Sequence, residues 1–330
     1  METTFLGRTG IRVARLALGT MSFGGDADEA ESARMFAACR DVGIDLFDTA
    51  DVYNGGRSEE ILGRLVAGCR DDVVIATKAY FPTGPGRNAR GASRYHLVRA
   101  AEASLRRLGT DRIDLYYVHR FDDHTALDET LRALDDLVRA GKVLHPAASN
   151  FAAWQAAKAL GVAAREHLAP LVALQPMYNL LKRQAESEIL PFARSEALAV
   201  FPYSPVAGGL LSGRYGIDRA PSSGRIVDNR MYATRYGDPE YLRAAERFGA
   251  LALELGRHPV ALAVAWVASH PDVTAPLLGA RSLEQLAPAL AALDPPLSAE
   301  ERERVSALTR APAPATDRNE ETTAHNYGAR

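Results

Sequence analysis

The sequence predicts a closed parallel (β/α)8 barrel of the TIM type, with an N-terminal β-hairpin and a long loop after the seventh barrel strand. Three observations lead there. Eight short β-branched or aliphatic runs recur along the 330 residues, each followed by a stretch of helical period, the pattern of repeated βα units. The chemically unusual side chains stand at the ends of those runs: Asp48 after the second, Lys78 the third, His119 the fourth, Ser149 and Asn150 the fifth, with Gln175 closing the sixth and Tyr203 the seventh. A long doubly wound sheet shares the rhythm, but in a barrel every strand points its C-terminal end at one mouth, so these scattered groups converge. Finally, 47% hydrophobic and 24% charged residues with 26 Gly and 18 Pro is globular composition, which excludes disordered, collagenous and disulfide-scaffold chains.

In chain order, residues 3–13 hold Gly7 and the pair Thr9-Gly10 between short apolar stretches, a hairpin outside the barrel placed to plug its floor. Barrel strands are expected at 15–18, 44–47, 73–77, 113–118, 143–148, 171–175, 199–203 and 274–278. Helices are expected at 28–41, 58–66, 95–108, 127–140, 151–160, 187–196, 241–255 with 260–268, and 283–292. Gly43, Gly109, Gly141 and Gly161, just past the last apolar positions, serve as stop signals. The interval from Tyr203 to Tyr241 far exceeds a usual βα loop, and its Gly208, Gly209, Gly213, Gly216 and Gly224 mark a functional flap. With a last helix at 298–308, residues 1–310 form one barrel domain and 311–330 a polar C-terminal tail.

Several function classes drop out. Lys plus Arg is 39 against 41 Asp plus Glu, a net charge of -2 with no cationic stretch, so no nucleic-acid partner is expected. Residues 1–10 lack an apolar signal core and 260–268 is too short to span a bilayer, which predicts a cytoplasmic protein without a membrane partner. Cys39 and Cys69 read as packed thiols. There is no P-loop, His-Glu-x-x-His or Gly-x-Ser-x-Gly motif. Gly84-Pro85-Gly86-Arg87-Asn88-Ala89 imitates a dinucleotide fingerprint but trails its strand and opens no immediate helix. Arg120, Asp122, Asp123 and His124 include metal-ligating types, yet the first strand supplies no His-x-His, and no metal is expected. Exterior helix faces show no single apolar stripe, leaving monomer and homo-oligomer both open.

Phe47-Asp48-Thr49-Ala50-Asp51-Val52-Tyr53-Asn54 with Ser58-Glu59-Glu60 resembles the signature of the aldo-keto reductase family. Ala76-Thr77-Lys78, Leu115-Tyr116-Tyr117-Val118-His119-Arg120, Ala148-Ser149-Asn150, Leu174-Gln175-Pro176-Met177-Tyr178-Asn179, Tyr203-Ser204-Pro205 and Gly279-Ala280-Arg281-Ser282 with Gln285 are similar to its later motifs, in its order. The similarity spans about residues 6–308. The long flap and the Gly-Ala-Arg-Ser run resemble the branch related to channel β-subunits and bacterial oxidoreductases.

The resemblance implies an NADPH-dependent oxidoreductase that reduces an aldehyde or ketone, with Asp48, Tyr53, Lys78 and His119 as the catalytic four. Hydride addition to a carbonyl builds negative charge on oxygen, so a proton donor must stand beside it, and Tyr53 is the candidate. A phenol with a pKa near about 10 gives up its proton more readily beside a cation, a charge Lys78 can supply and Asp48 can hold in place. His119 offers an N–H or a proton relay at the same oxygen. For NADPH or NADP+, the implied contacts are Gly19, Thr20 and Met21; Ser149, Asn150 and Gln175 on the carboxamide; and Tyr203 against the nicotinamide face. Ser204, Pro205, Gly209, Leu210, Ser212 and Arg214 would cradle the pyrophosphate, with Gly279, Arg281 and Gln285 at the 2′-phosphate and adenine. Ala289 stands where the family commonly has Asn, and Leu144-His145-Pro146-Ala147 also departs from its pattern. Phe23, Tyr80, Phe81 and Phe121, with Met21 and Met231 or Tyr232, would form an aromatic rim suited to a bulky or aromatic carbonyl. Ala- and Arg-rich composition hints at a GC-rich bacterial genome, where such reductases often serve specialised metabolism. The competing expectation is a regulatory subunit that keeps the nucleotide and turns over little.

Overall fold

A computed structural model of the chain describes residues 1–313 and 315. An antiparallel hairpin of β1 (Thr3–Phe5) and β2 (Arg12–Ala14) precedes eight parallel strands. These are β3 (Ala17–Gly19), β4 (Leu46–Asp48), β5 (Val74–Ala79), β6 (Ile113–Val118), β7 (Val143–Ser149), β8 (Ala173–Gln175), β9 (Ala199–Val200) and β10 (Leu277–Leu278). From β3 to β9 each strand pairs with the next in sequence, and β10 pairs with β3. The remaining seam closes through backbone bonds from Thr274 N–H to the Val200 carbonyl (2.9 Å) and from Leu277 N–H to that of Pro202 (2.8 Å). The sheet is thus a (β/α)8 barrel.

Alternation along the strands divides the molecule in two. Ala17, Leu46, Ala76, Leu115, Tyr117, Ala147, Ala173, Ala199, Phe201, Ala275 and Leu277 form an inner core, and Leu6 and Val13 of the hairpin join it, so the hairpin does plug the floor. Gly7 makes this approach at φ 53°, where an added Cβ would lie 2.9 Å from the Ala197 carbonyl oxygen, so no side chain fits. Counting on by two from the inner core, the inward positions turn polar at the C-terminal ends, giving Asp48, Lys78, His119, Ser149, Gln175 and Tyr203. The opposite strand faces pack against the helices in the larger outer core.

Several elements differ from expectation. β9 and β10 are only two residues each, because Pro202 and Pro276 have no N–H to donate and their positions serve the ladder only as acceptors. The helix expected at 151–160 is Ala153–Glu166: Gly161 lies inside it, while His167, in the left-handed region, ends it. Buried Val162 and Ala163 continue the packed face and carry the helix past the glycine. The flap is partly helical, with short helices at Ala207–Ser212, Arg225–Asp228 and Arg230–Arg235. Beyond residues 311–313 and 315, the expected C-terminal tail lies outside the described residues. Among the described residues no single helix is long and apolar enough to cross a membrane.

Candidate active site

Strand register sets the centre of the mouth. Asp48 stands opposite Ala76, one inward step before Lys78, and the long lysine stem reaches back to it. Lys78 is 0% exposed; its Nζ donates to Asp48 Oδ1 at 2.5 Å, to the Thr49 carbonyl at 2.6 Å and to the Tyr53 hydroxyl at 3.4 Å. Gln175 Nε2 donates to the other Asp48 oxygen at 2.8 Å, so each carboxylate oxygen has a donor. Burial works against the Lys78 cation, but Asp48 and Tyr53 outweigh it and hold the ammonium above its ordinary value. Lys78 is therefore charged across the neutral range.

Tyr53 is fixed by its loop. Asn54, Gly55 and Gly56 turn the chain at positive φ into the helix Arg57–Val66. Asn54 Nδ2 donates to the carbonyls of Met21 (2.9 Å) and Phe23 (2.8 Å). Ser58 lies within hydrogen-bonding distance of Thr20 and Thr49. The Tyr53 phenol is raised by burial, with Lys78 pulling against it. This differs from the lowered phenol expected from sequence: much of the lysine's charge is already matched by Asp48, and removing the phenolate from water dominates. Tyr53 accordingly carries its proton at neutral pH.

The His119 ring meets Tyr53 and Phe81 edge-on, with centroids 6.0 and 4.9 Å apart. Burial, helped by the Lys78 charge, lowers it well below the ordinary histidine value, so the ring is neutral. Its buried Nδ1 has no partner among the described residues. Asp51, two residues before Tyr53, is also buried, with both carboxylate oxygens unpartnered among the described residues. Burial and then the charge of Glu59 push it up to about 7. Glu59 is itself held by Arg107 (2.6 Å) and Thr77 (2.5 Å).

Around these residues opens a cleft of about 1300 Å³. Of the positions expected on a cofactor, Gly19, Met21, Ser149, Asn150, Gln175, Tyr203, Ser204, Pro205, Gly209, Ser212, Arg214, Gly279, Arg281 and Gln285 line it. Thr20 and Leu210 do not: both are 0% exposed, Thr20 bonded to Asp48 and Ser58 and Leu210 packed in the outer core. Of the expected rim, Phe81 lines the cleft, as do Met231 and Tyr232. Phe23 is buried in the outer core, Tyr80 packs against the same core and edge-on to Phe81, and Phe121 turns toward Phe151 and Trp154. Asp122 accepts from the Ala92 and His124 amides and from Thr125, joining two loops.

The amides expected to grip a carboxamide are already engaged. Asn150 donates to the His119 carbonyl and to Ser149, and accepts from the Tyr203 hydroxyl at 2.7 Å. Arg281 is tethered to Asp26 at 3.1 Å. Sequence reasoning did not single out Arg225, Arg235 or Asp51; the density of arginines in the flap was the available signal for the first two.

A model of the aldo/keto reductase family matches residues 15–310. The chain belongs to that family. This aldo/keto reductase is 41% identical over 311 residues to the uncharacterized oxidoreductase YrpG of Bacillus subtilis, covering 89% of this chain and 91% of the relative. It is 36% identical over 317 residues to a probable voltage-gated potassium channel subunit beta of Oryza sativa subsp. japonica, covering 93% and 96%. It is 32% identical over 328 residues to the versiconal hemiacetal acetate reductase of Aspergillus parasiticus, covering 91% and 95%.

Proposed function

We propose that this aldo/keto reductase is an NADPH-dependent carbonyl reductase that converts a bulky or aromatic aldehyde or ketone to its alcohol, with residues 1–310 acting as one barrel domain. The observation that carries the reading is the buried Lys78, held between Asp48 at 2.5 Å and the Tyr53 hydroxyl at 3.4 Å at the edge of a large cleft.

The cleft fits a dinucleotide. Its adenine end offers apolar Val260, Val264, Pro288 and Ala289. Arg214 and Arg225 line it with no carboxylate in ion-pair distance among the described residues, as a pyrophosphate requires. Arg281 would hold the 2′-phosphate, Tyr203 would back the nicotinamide ring, and Ser149, Asn150 and Gln175 would face its carboxamide. When bound, the reduced nicotinamide supplies the hydride. The chain's own residues do the rest: Tyr53 gives its proton to the carbonyl oxygen as charge builds there, and Lys78 stabilises the phenolate left behind. Asp48 keeps Lys78 in position, and neutral His119 orients the carbonyl by donating an N–H.

The test is a fluorescence titration with NADPH and NADH, followed by loss of nicotinamide absorbance with a panel of aromatic and aliphatic carbonyls. Binding with consumption supports the reductase. The similarity to a channel β-subunit favours a second reading, a nucleotide-binding regulatory subunit, for which binding without consumption across the panel would speak. Failure to bind either nucleotide would overturn both.

A further inference from the structure

The cleft holds more positive charge than a dinucleotide accounts for at one of its ends. Arg120, Arg214, Arg225, Arg235 and Arg281 line it, against the carboxylates of Asp48 and Glu284, and Asp48 is already matched by Lys78. The arginines divide by position. Burial raises the Tyr215 phenol and the cations of Arg214 and Arg281 oppose it, which puts both beside Tyr215. Burial pushes Tyr203 up to about 12 with Arg235 pulling against it, and Arg235 acts in the same sense on Tyr236. Geometry agrees: the neighbouring Tyr236 hydroxyl accepts from Asn179 Nδ2 at 3.2 Å, and the same amide donates to the Ser204 carbonyl at 3.0 Å, so the end of the helix that carries Arg235 is anchored beside Tyr203 and Ser204.

Its support is built into the flap. Tyr232 is 6% exposed and its ring rests on Gly208, where an added Cβ would lie 2.8 Å from it. The Arg235 guanidinium lies 5.1 Å from the Tyr232 ring centroid. The Arg225 guanidinium lies 5.7 Å from the same centroid, so the two arginines share one ring. Among the described residues no oxygen accepts from the Arg235 guanidinium, half-buried though the residue is. A half-buried guanidinium facing a cleft without an acceptor is a site for an oxyanion. The lining of the same cleft also includes apolar Val52, Phe81 and Met231.

We infer that Arg235 recognises an anionic group on the substrate, so that the preferred carbonyl is an apolar or aromatic aldehyde or ketone ending in a carboxylate or phosphate. This rests on the reductase reading and narrows it. The experiment compares kcat/KM of the full chain with NADPH for 4-carboxybenzaldehyde, its methyl ester and 4-formylphenyl phosphate. At least one anionic aldehyde should exceed the ester by roughly tenfold to a hundredfold, mainly through KM, as a charge-assisted hydrogen bond implies. The arm that wins identifies the anion. In Arg235→Gln that ratio should fall toward one, and Arg235→Lys should restore part of it. Should Arg235→Gln fail to fold, the ratio in the natural protein must decline between low and high salt. No preference for either anion overturns the inference. So does an equal loss for all three aldehydes in Arg235→Gln, the result of a mere flap strut. If none of the three nor any neutral carbonyl of the wider panel consumes NADPH, the reductase reading itself has failed.

Discussion

Replacing Asp51 by Asn should stabilise the protein above neutrality and do little near pH 4. Asp51 is 3% exposed, neither of its oxygens has a partner among the described residues, and its carboxyl is pushed from 3.8 up to about 7. The charged groups acting on it are Glu59, Arg107 and Lys78. With the folded pKa above the unfolded one, the native chain keeps a proton that the unfolded chain has lost between about pH 4 and 7. Stability therefore falls as pH rises through that window and levels off above it. A shift of about three units corresponds to roughly 4 kcal/mol at pH 8, or about 1.4 kcal/mol per pH unit. Asparagine keeps the shape without the ionisation. Denaturant melts of both proteins from pH 4 to 8 should show the advantage of Asp51→Asn growing along that slope. A difference independent of pH would mean that Asp51 is ionised throughout and has a partner, and the argument from burial would be wrong.

Other outcomes test the site and the barrel. Tyr53→Phe should keep NADPH binding by titration and lose carbonyl reduction by at least about a hundredfold; an unchanged rate removes Tyr53 from the chemistry. Arg281→Ala should weaken NADPH far more than NADH in the same titration, and equal losses would refute the 2′-phosphate role. Gly7→Ala, at φ 53° against the Ala197 carbonyl, should cost about 1–3 kcal/mol in a melt, with turnover per folded molecule retained. A neutral result there would show that the floor plug yields.

The barrel was legible because its alternation is strict. Inward residues run from Leu46 to Asp48 and from Ala76 to Lys78, so the polar end of each strand stands out in one dimension. Strand length was not legible at β9 and β10, where an extended chain continues past Pro202 and Pro276 without a full ladder. Gly161 misled because a glycine stops a helix only when the packed face also ends, and Val162 and Ala163 continue it. The aromatic rim was mostly unreadable: loop position brings Phe23 and Phe121 near the mouth, but whether a ring turns inward depends on neighbours such as Phe151 and Trp154. Asp51 escaped notice because its isolation arises from three-dimensional burial, not from its motif.

Beneath the cleft the barrel is filled by its inner core and by Leu6 and Val13 of the hairpin, so nothing reaches the cleft through the floor. Arrivals and departures are confined to the mouth side, where a molecule lying deeper would be covered by one bound after it. A dinucleotide stretched from Tyr203 toward Gln285 would lie beneath the flap, so its escape would wait on both alcohol release and the lifting of Tyr232 from Gly208. On the reductase proposal, such covering predicts that nucleotide binds first and leaves last, with release as the slow event of a turnover. Product-inhibition patterns would carry that ordering as a plain kinetic signature.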